Sequence, residues 1–119
     1  MKSIYLAGPM RGIPEFNFPA FNAAAAKLRA EGHFVFNPAE KDIERHGGVD
    51  ISKGNIAGDE KVAASNHGFS LEQAICDDLT FIAIGGCTAI ALLPGWEHSA
   101  GACVEFDLAK FLKREFIYL

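Results

Sequence analysis

A chain of 119 residues, half of them hydrophobic and ten of them Phe, is long enough for one domain with a substantial core. Its net charge of −4, with no basic block, argues against a phosphate-reading patch for nucleic acid, yet a small anion needs only one Arg and a few backbone N–H groups. No apolar run approaches the roughly 18 residues of a membrane span, and Met1-Lys-Ser leads straight into a strand, so a cytoplasmic protein without a membrane partner is expected.

Ser3–Ala7 reads as a buried strand stopped by Gly8-Pro9. Asn17 reads as the N-cap of a helix with Pro19 in its first turn and an end near Gly32; Phe18, Phe21, Ala25 and Leu28 form its core face. His33–Phe36 is a second strand, closed by Asn37-Pro38. From Ala39 to Gly68 the chain turns polar and loses any period, which predicts a mobile flap with one short helical turn. Ser70-Leu-Glu-Gln73 matches a capping box with Phe69 as its staple, and a helix runs on to about Ile84. Thr88–Leu93 is a third strand, Gly101 to Arg114 a helix, and Phe116–Leu119 a closing strand.

Strands alternating with helices predict an α/β fold, a small doubly wound parallel sheet of four to five strands in the order 2-1-3-4, with helices on its flanks. The order reverses between the first and third strands, and ligands in such sheets bind beyond the carboxyl ends at that reversal. Gly8–Gly12 and Pro94–Gly101 both arrive there.

Two carboxylates sit on apolar helix stripes. Glu105 shares one with Leu108, Ala109 and Leu112; Asp78 shares another with Leu71, Ala74, Ile75 and Ile82, while Asp77 faces away toward solvent. With Glu105 in a first helical turn, burial raises its pKa, the helix N-terminus and nearby donors lower it, and an ionised, poorly hydrated nucleophile results. The plainer reading is a solvated Glu favouring the helix dipole, and for Asp78 a structural hydrogen bond. The paired reading gives the two carboxylates that glycosyl transfer uses. The Tyr5 hydroxyl is placed to bond Glu105, or Tyr5 is simply a core aromatic. In the Gly8-Pro-Met-Arg-Gly12 turn, glycine admits a ligand to the backbone and Arg11 can grip a phosphate. Ser99 and Gly101 stand where a helix N-terminus exposes N–H groups, and Ser99 also suits the N-cap. Trp96 is placed to stack on a base or cover the pocket, and His98 reads as a solvated loop residue.

Cys76, Cys87 and Cys103 form no C-x-x-C pair, and His33, His46 and His67 have no ligand spacing, so small buried thiols in a reducing compartment and no metal are expected.

Ile4-Tyr-Leu-Ala-Gly-Pro-Met-Arg-Gly12, Asp77-Asp-Leu79 and Ser99-Ala-Gly-Ala-Cys-Val-Glu105 together resemble the nucleoside 2-deoxyribosyltransferase family, including its 2′-deoxynucleoside 5′-monophosphate N-glycosidases. The resemblance covers nearly the whole chain in element order. It implies that Glu105 attacks C1′ of the deoxyribose, Asp78 assists the leaving base and Tyr5 positions Glu105. It also implies that Gly8, Met10, Arg11, Gly12, Ser99 and Gly101 bind the nucleotide. No cofactor is implied, and a homodimer or larger homo-oligomer is. Nucleoside transferases tend to carry Asp at the Ser99 position, which tilts the expectation toward nucleotides. Thr88, the Leu-Pro-Gly-Trp-Glu insert and the long Ala39–Gly68 stretch depart from the family pattern, so base specificity does not carry over. A base-exchanging transferase and a non-catalytic nucleotide-binding module are the alternatives.

Overall fold

The computed structural model describes residues 1–119, the His67 side chain excepted. Four strands, β1 (Ser3–Ala7), β2 (Phe34–Phe36), β3 (Ala89–Leu92) and β4 (Glu115–Tyr118), form one parallel sheet in the order β2-β1-β3-β4. Five helices accompany them: α1 (Phe18–Ala30), α2 (Pro38–Arg45), α3 (Glu60–His67), α4 (Leu71–Ile84) and α5 (Ala100–Phe111). The expected α/β architecture and strand order are therefore observed.

The central strands are apolar throughout because helices cover both sides of the sheet. Ile4 and Leu6 of β1 point into one core with Phe16, Phe18, Phe21, Leu28 and Val35. Tyr5 and Ala7 point the other way, into a core with Ile82, Ile90, Leu92 and Ala109. Register follows this alternation, with Ile4 opposite Val35 on one side and Ala89 on the other.

The stretch expected to be a flap with one short helical turn carries two helices, α2 and α3. Asn37 caps α2, its side chain accepting from the Ala39 N–H, and Asp59 caps α3 in the same way through Lys61. The intervening segment docks on the turn after β1. The Gly12 N–H donates to the Gly58 carbonyl at 2.9 Å and the Glu15 N–H to the Asn55 carbonyl at 2.8 Å. Gly58 is required at that crossing, since a Cβ there would stand 2.2 Å from the Ile13 carbonyl oxygen. The stretch is held by these backbone hydrogen bonds and by a few buried apolar side chains, Ala39, Ile51 and Ala63, spaced too irregularly to show a period.

Asn17 stands at the N-cap of α1 as expected, but its side chain makes no capping hydrogen bond. It adopts a left-handed conformation and its Nδ2 donates to the Pro9 carbonyl at 3.0 Å. Glu15 and Phe16 are also left-handed, a strained run that turns the chain sharply into α1 and buries Phe16.

Candidate active site

A cavity opens beyond the carboxyl ends of β1, β2 and β3, with a volume of about 710 Å³ including its mouth. Tyr5, Asp78 and Glu105 share its wall with Gly8, Met10, Arg11, Ser99 and Gly101. Three distant stretches meet here because parallel strands all end at one edge.

Ser70 starts α4 by accepting from the Gln73 N–H, which fixes the helix register and sends Ala74, Asp78 and Ile82 inward. Ser99 starts α5 by accepting from the Ala102 N–H, and Ala102, Glu105 and Ala109 turn inward from there. Asp78 and Glu105 are only 7% and 6% exposed. Tyr5 comes from the strand between them; its ring packs against Phe36 and Phe81, and its hydroxyl donates to Glu105 Oε2 at 2.7 Å. Asp78 Oδ1 is buried and finds no hydrogen-bond partner among the described residues. A solitary acceptor in a cavity wall is costly unless a proton or ligand answers it.

Burial pushes the Asp78 carboxyl up to about 7, partly offset by the nearby Tyr5 hydroxyl. Burial first and the Asp78 charge second raise Glu105 well above the usual carboxylate range, while the Tyr5 hydroxyl favours its ionised form. Burial beside both carboxyl groups likewise raises Tyr5, so its hydroxyl stays a donor. Since α5 begins at Ala100, Glu105 stands in the second turn, not the first, and the helix terminus does not offset its burial. The sequence expectation of an ionised Glu105 is thus replaced by two buried carboxyls, Asp78 and Glu105, both raised above the usual carboxylate range.

The opposite wall suits an anion. No backbone hydrogen bond among the described residues uses the N–H groups of Met10, Arg11, Ala100 or Gly101. Among the described residues the exposed Arg11 guanidinium pairs with Glu60 alone, at 3.4 Å. A Cβ at Gly8 would stand 2.7 Å from Leu93 Cβ, so this position must be glycine for the turn to close on β3.

Two expected ligand contacts fall elsewhere. Gly12 lies outside the cavity wall, with its N–H committed to Gly58. Trp96 is also outside the wall: its ring stacks on Phe106 at 4.6 Å, which in turn stacks on Phe116. The insert before α5 therefore closes the core edge and does not reach the pocket. Asp77 is not simply solvated, because it accepts from Arg45 Nη1 at 2.7 Å and from Gln73.

Sequence reading missed Asp42, which is 5% exposed and lines the cavity from α2. Arg45 Nη2 donates to Asp42 Oδ1, and burial nonetheless raises its carboxyl to about 6. The available signal was Asn37-Pro38, an N-cap with Pro at the first helical position, which starts a helix as well as ending a strand. Among the described residues no group of three or more His, Cys, Asp or Glu side chains has metal-binding geometry.

Fold and site define a small parallel α/β domain with a carboxyl pair and an anion-ready turn at one sheet edge. The chain belongs to the family described as domain of unknown function (DUF4406), whose model matches residues 2–118. A search of curated proteins gave no match.

Proposed function

We propose that this protein is an N-glycosidase of 2′-deoxynucleoside 5′-monophosphates. The observation that carries the reading is the Tyr5–Glu105 hydrogen bond, with Asp78 beside it, in a cavity also lined by Arg11 and Ser99. The phosphate sits on the N–H groups of Met10, Arg11 and Gly101 and displaces Glu60 from Arg11. Ser99, besides capping α5, lends its hydroxyl.

Tyr5 stabilises charge on Glu105, which leaves the proton on Asp78. Glu105 Oε1, the oxygen that Tyr5 does not bond, attacks C1′. The C1′–N bond breaks, its electron pair leaves with the base, and Asp78 delivers the proton. Asp78, now ionised, takes a proton from water as that water attacks C1′ and breaks the bond to Glu105. The products are the free base and 2-deoxyribose 5-phosphate, and both carboxyl groups return to their first state. Retention at C1′ follows from two displacements.

Incubation with each deoxynucleoside monophosphate, followed by chromatography for free base, tests the reading. Release from at least one is expected, and none at high enzyme concentration refutes it. A second free base in the mixture separates hydrolysis from transfer, since transfer gives a new nucleotide.

Three unbridged cysteines suit a reducing compartment, in keeping with a cytoplasmic enzyme. No helix is long and apolar enough to cross a membrane among the described residues. Homo-oligomerisation is part of the reading, and the exposed Ile84 and Phe111 supply apolar surface for it.

A further inference from the structure

We infer that Asp42 selects nucleobases that carry an amino group, accepting a hydrogen bond from it through Oδ2. The inference rests on the nucleotide reading above and adds the class of base.

Asp42 and Pro38 lie one turn apart on α2 and face the cavity together. The carboxylate is held in place from behind. Arg45, itself largely buried, donates to Asp42 Oδ1 and bridges to Asp77 on α4. The His46 ring bonds the Asp42 main-chain oxygen at 2.7 Å. No hydrogen bond from the described residues reaches Oδ2. Oδ2 keeps some contact with the open cavity, and a largely buried carboxylate fixed by its other oxygen is a good recognition element, because a ligand donor can meet it there.

Its place along the sheet edge assigns the ligand part. Arg11 follows β1, and Ser99 and Gly101 follow β3, so the anion end lies at the β1–β3 side. Asp42 follows β2, on the far side of β1, where a second negative group would only repel a phosphate. A nucleotide with its phosphate at Arg11 and its sugar at Glu105 therefore extends its base toward α2. Asp42 and Asp78 line the same cavity, so a base held against Asp78 extends along the wall that Asp42 occupies.

A single open oxygen accepts from an exocyclic amino group at the edge of a base. A keto group at the same place sets oxygen against oxygen, and the site rejects it.

The test measures Kd by calorimetry on Glu105→Gln, which stops turnover, for two ligand pairs. One pair is dCMP and dUMP; the other is dAMP and the purine deoxyribonucleotide lacking the amino group. At least a ~10-fold preference for the amino member is expected in one pair, falling to within about threefold when Asp42→Asn or Asp42→Ala is added. Equal affinities within both pairs, or a preference that survives loss of the carboxylate, overturn the inference and leave the glycosidase reading intact. If neither Asp42 variant folds, the affinities within the pairs decide. Amino preference without base release by the wild-type protein supports the inference and refutes the glycosidase. Absence of binding by all four ligands overturns the inference, and the glycosidase reading is then decided by base release from the remaining monophosphates.

Discussion

The two faces of the sheet are built to different ends. Under α1 the core is hydrocarbon and aromatic ring, from Ile4 and Leu6 to Phe18, Phe21 and Leu28. Under α4 and α5 the same strand contributes Tyr5, and the helices bring Asp78 and Glu105 to it. Burial stabilises the first face in proportion to area, whereas on the second it works against charged groups that want water. The comparison teaches that the Tyr5, Asp78 and Glu105 cluster and an all-apolar core lie on opposite sides of one strand, separated by its side-chain alternation.

The sharpest way to break that contrast is Glu105→Ala. It should lower kcat for base release by at least ~1,000-fold while the protein stays folded by circular dichroism. Leu28→Ala, on the hydrocarbon face, should instead cost about 2–5 kcal/mol in urea unfolding and leave kcat of the folded fraction within about twofold.

Asp78→Asn should do the reverse, lowering turnover while raising stability. The sign follows from the raised carboxyl: the folded protein holds a proton near pH 7 that the unfolded chain releases near pH 4, so stability falls as pH rises between them. Removing the charge should recover roughly 2–4 kcal/mol at pH 8 and little at pH 4, measurable as urea midpoints at both values. Wild-type turnover should likewise fall as pH rises past about 7 and the Asp78 proton is lost. Equal urea midpoints for wild type and variant at pH 8 would dissolve the distinction between the faces.

The smallest expected effect tests the cavity mouth. Arg11→Ala should raise KM for the monophosphate about 10-fold and change kcat and the KM of the unphosphorylated nucleoside little.

The sheet order and the Tyr5, Asp78 and Glu105 cluster were legible because they follow from period: two in β1, between three and four in α4 and α5. Trp96 was not, since sequence places it after β3 but cannot show that Phe106 and Phe116 offer its ring a stacking partner. The middle stretch was misread for a related reason. Its caps at Asn37 and Asp59 are local signals and were available, but its docking through Asn55 and Gly58 uses main-chain atoms that leave no side-chain pattern. Asp42 was hidden inside that misreading.

The hydroxyl of Tyr5 and the carboxylate of Glu105 stand 100 positions apart in the chain. During synthesis the tyrosine therefore emerges long before its acceptor, and no partial product shorter than about 105 residues contains both groups. A polypeptide cut in the Trp96–His98 turn should be inert as either piece and regain activity only when the two are mixed and reassociate.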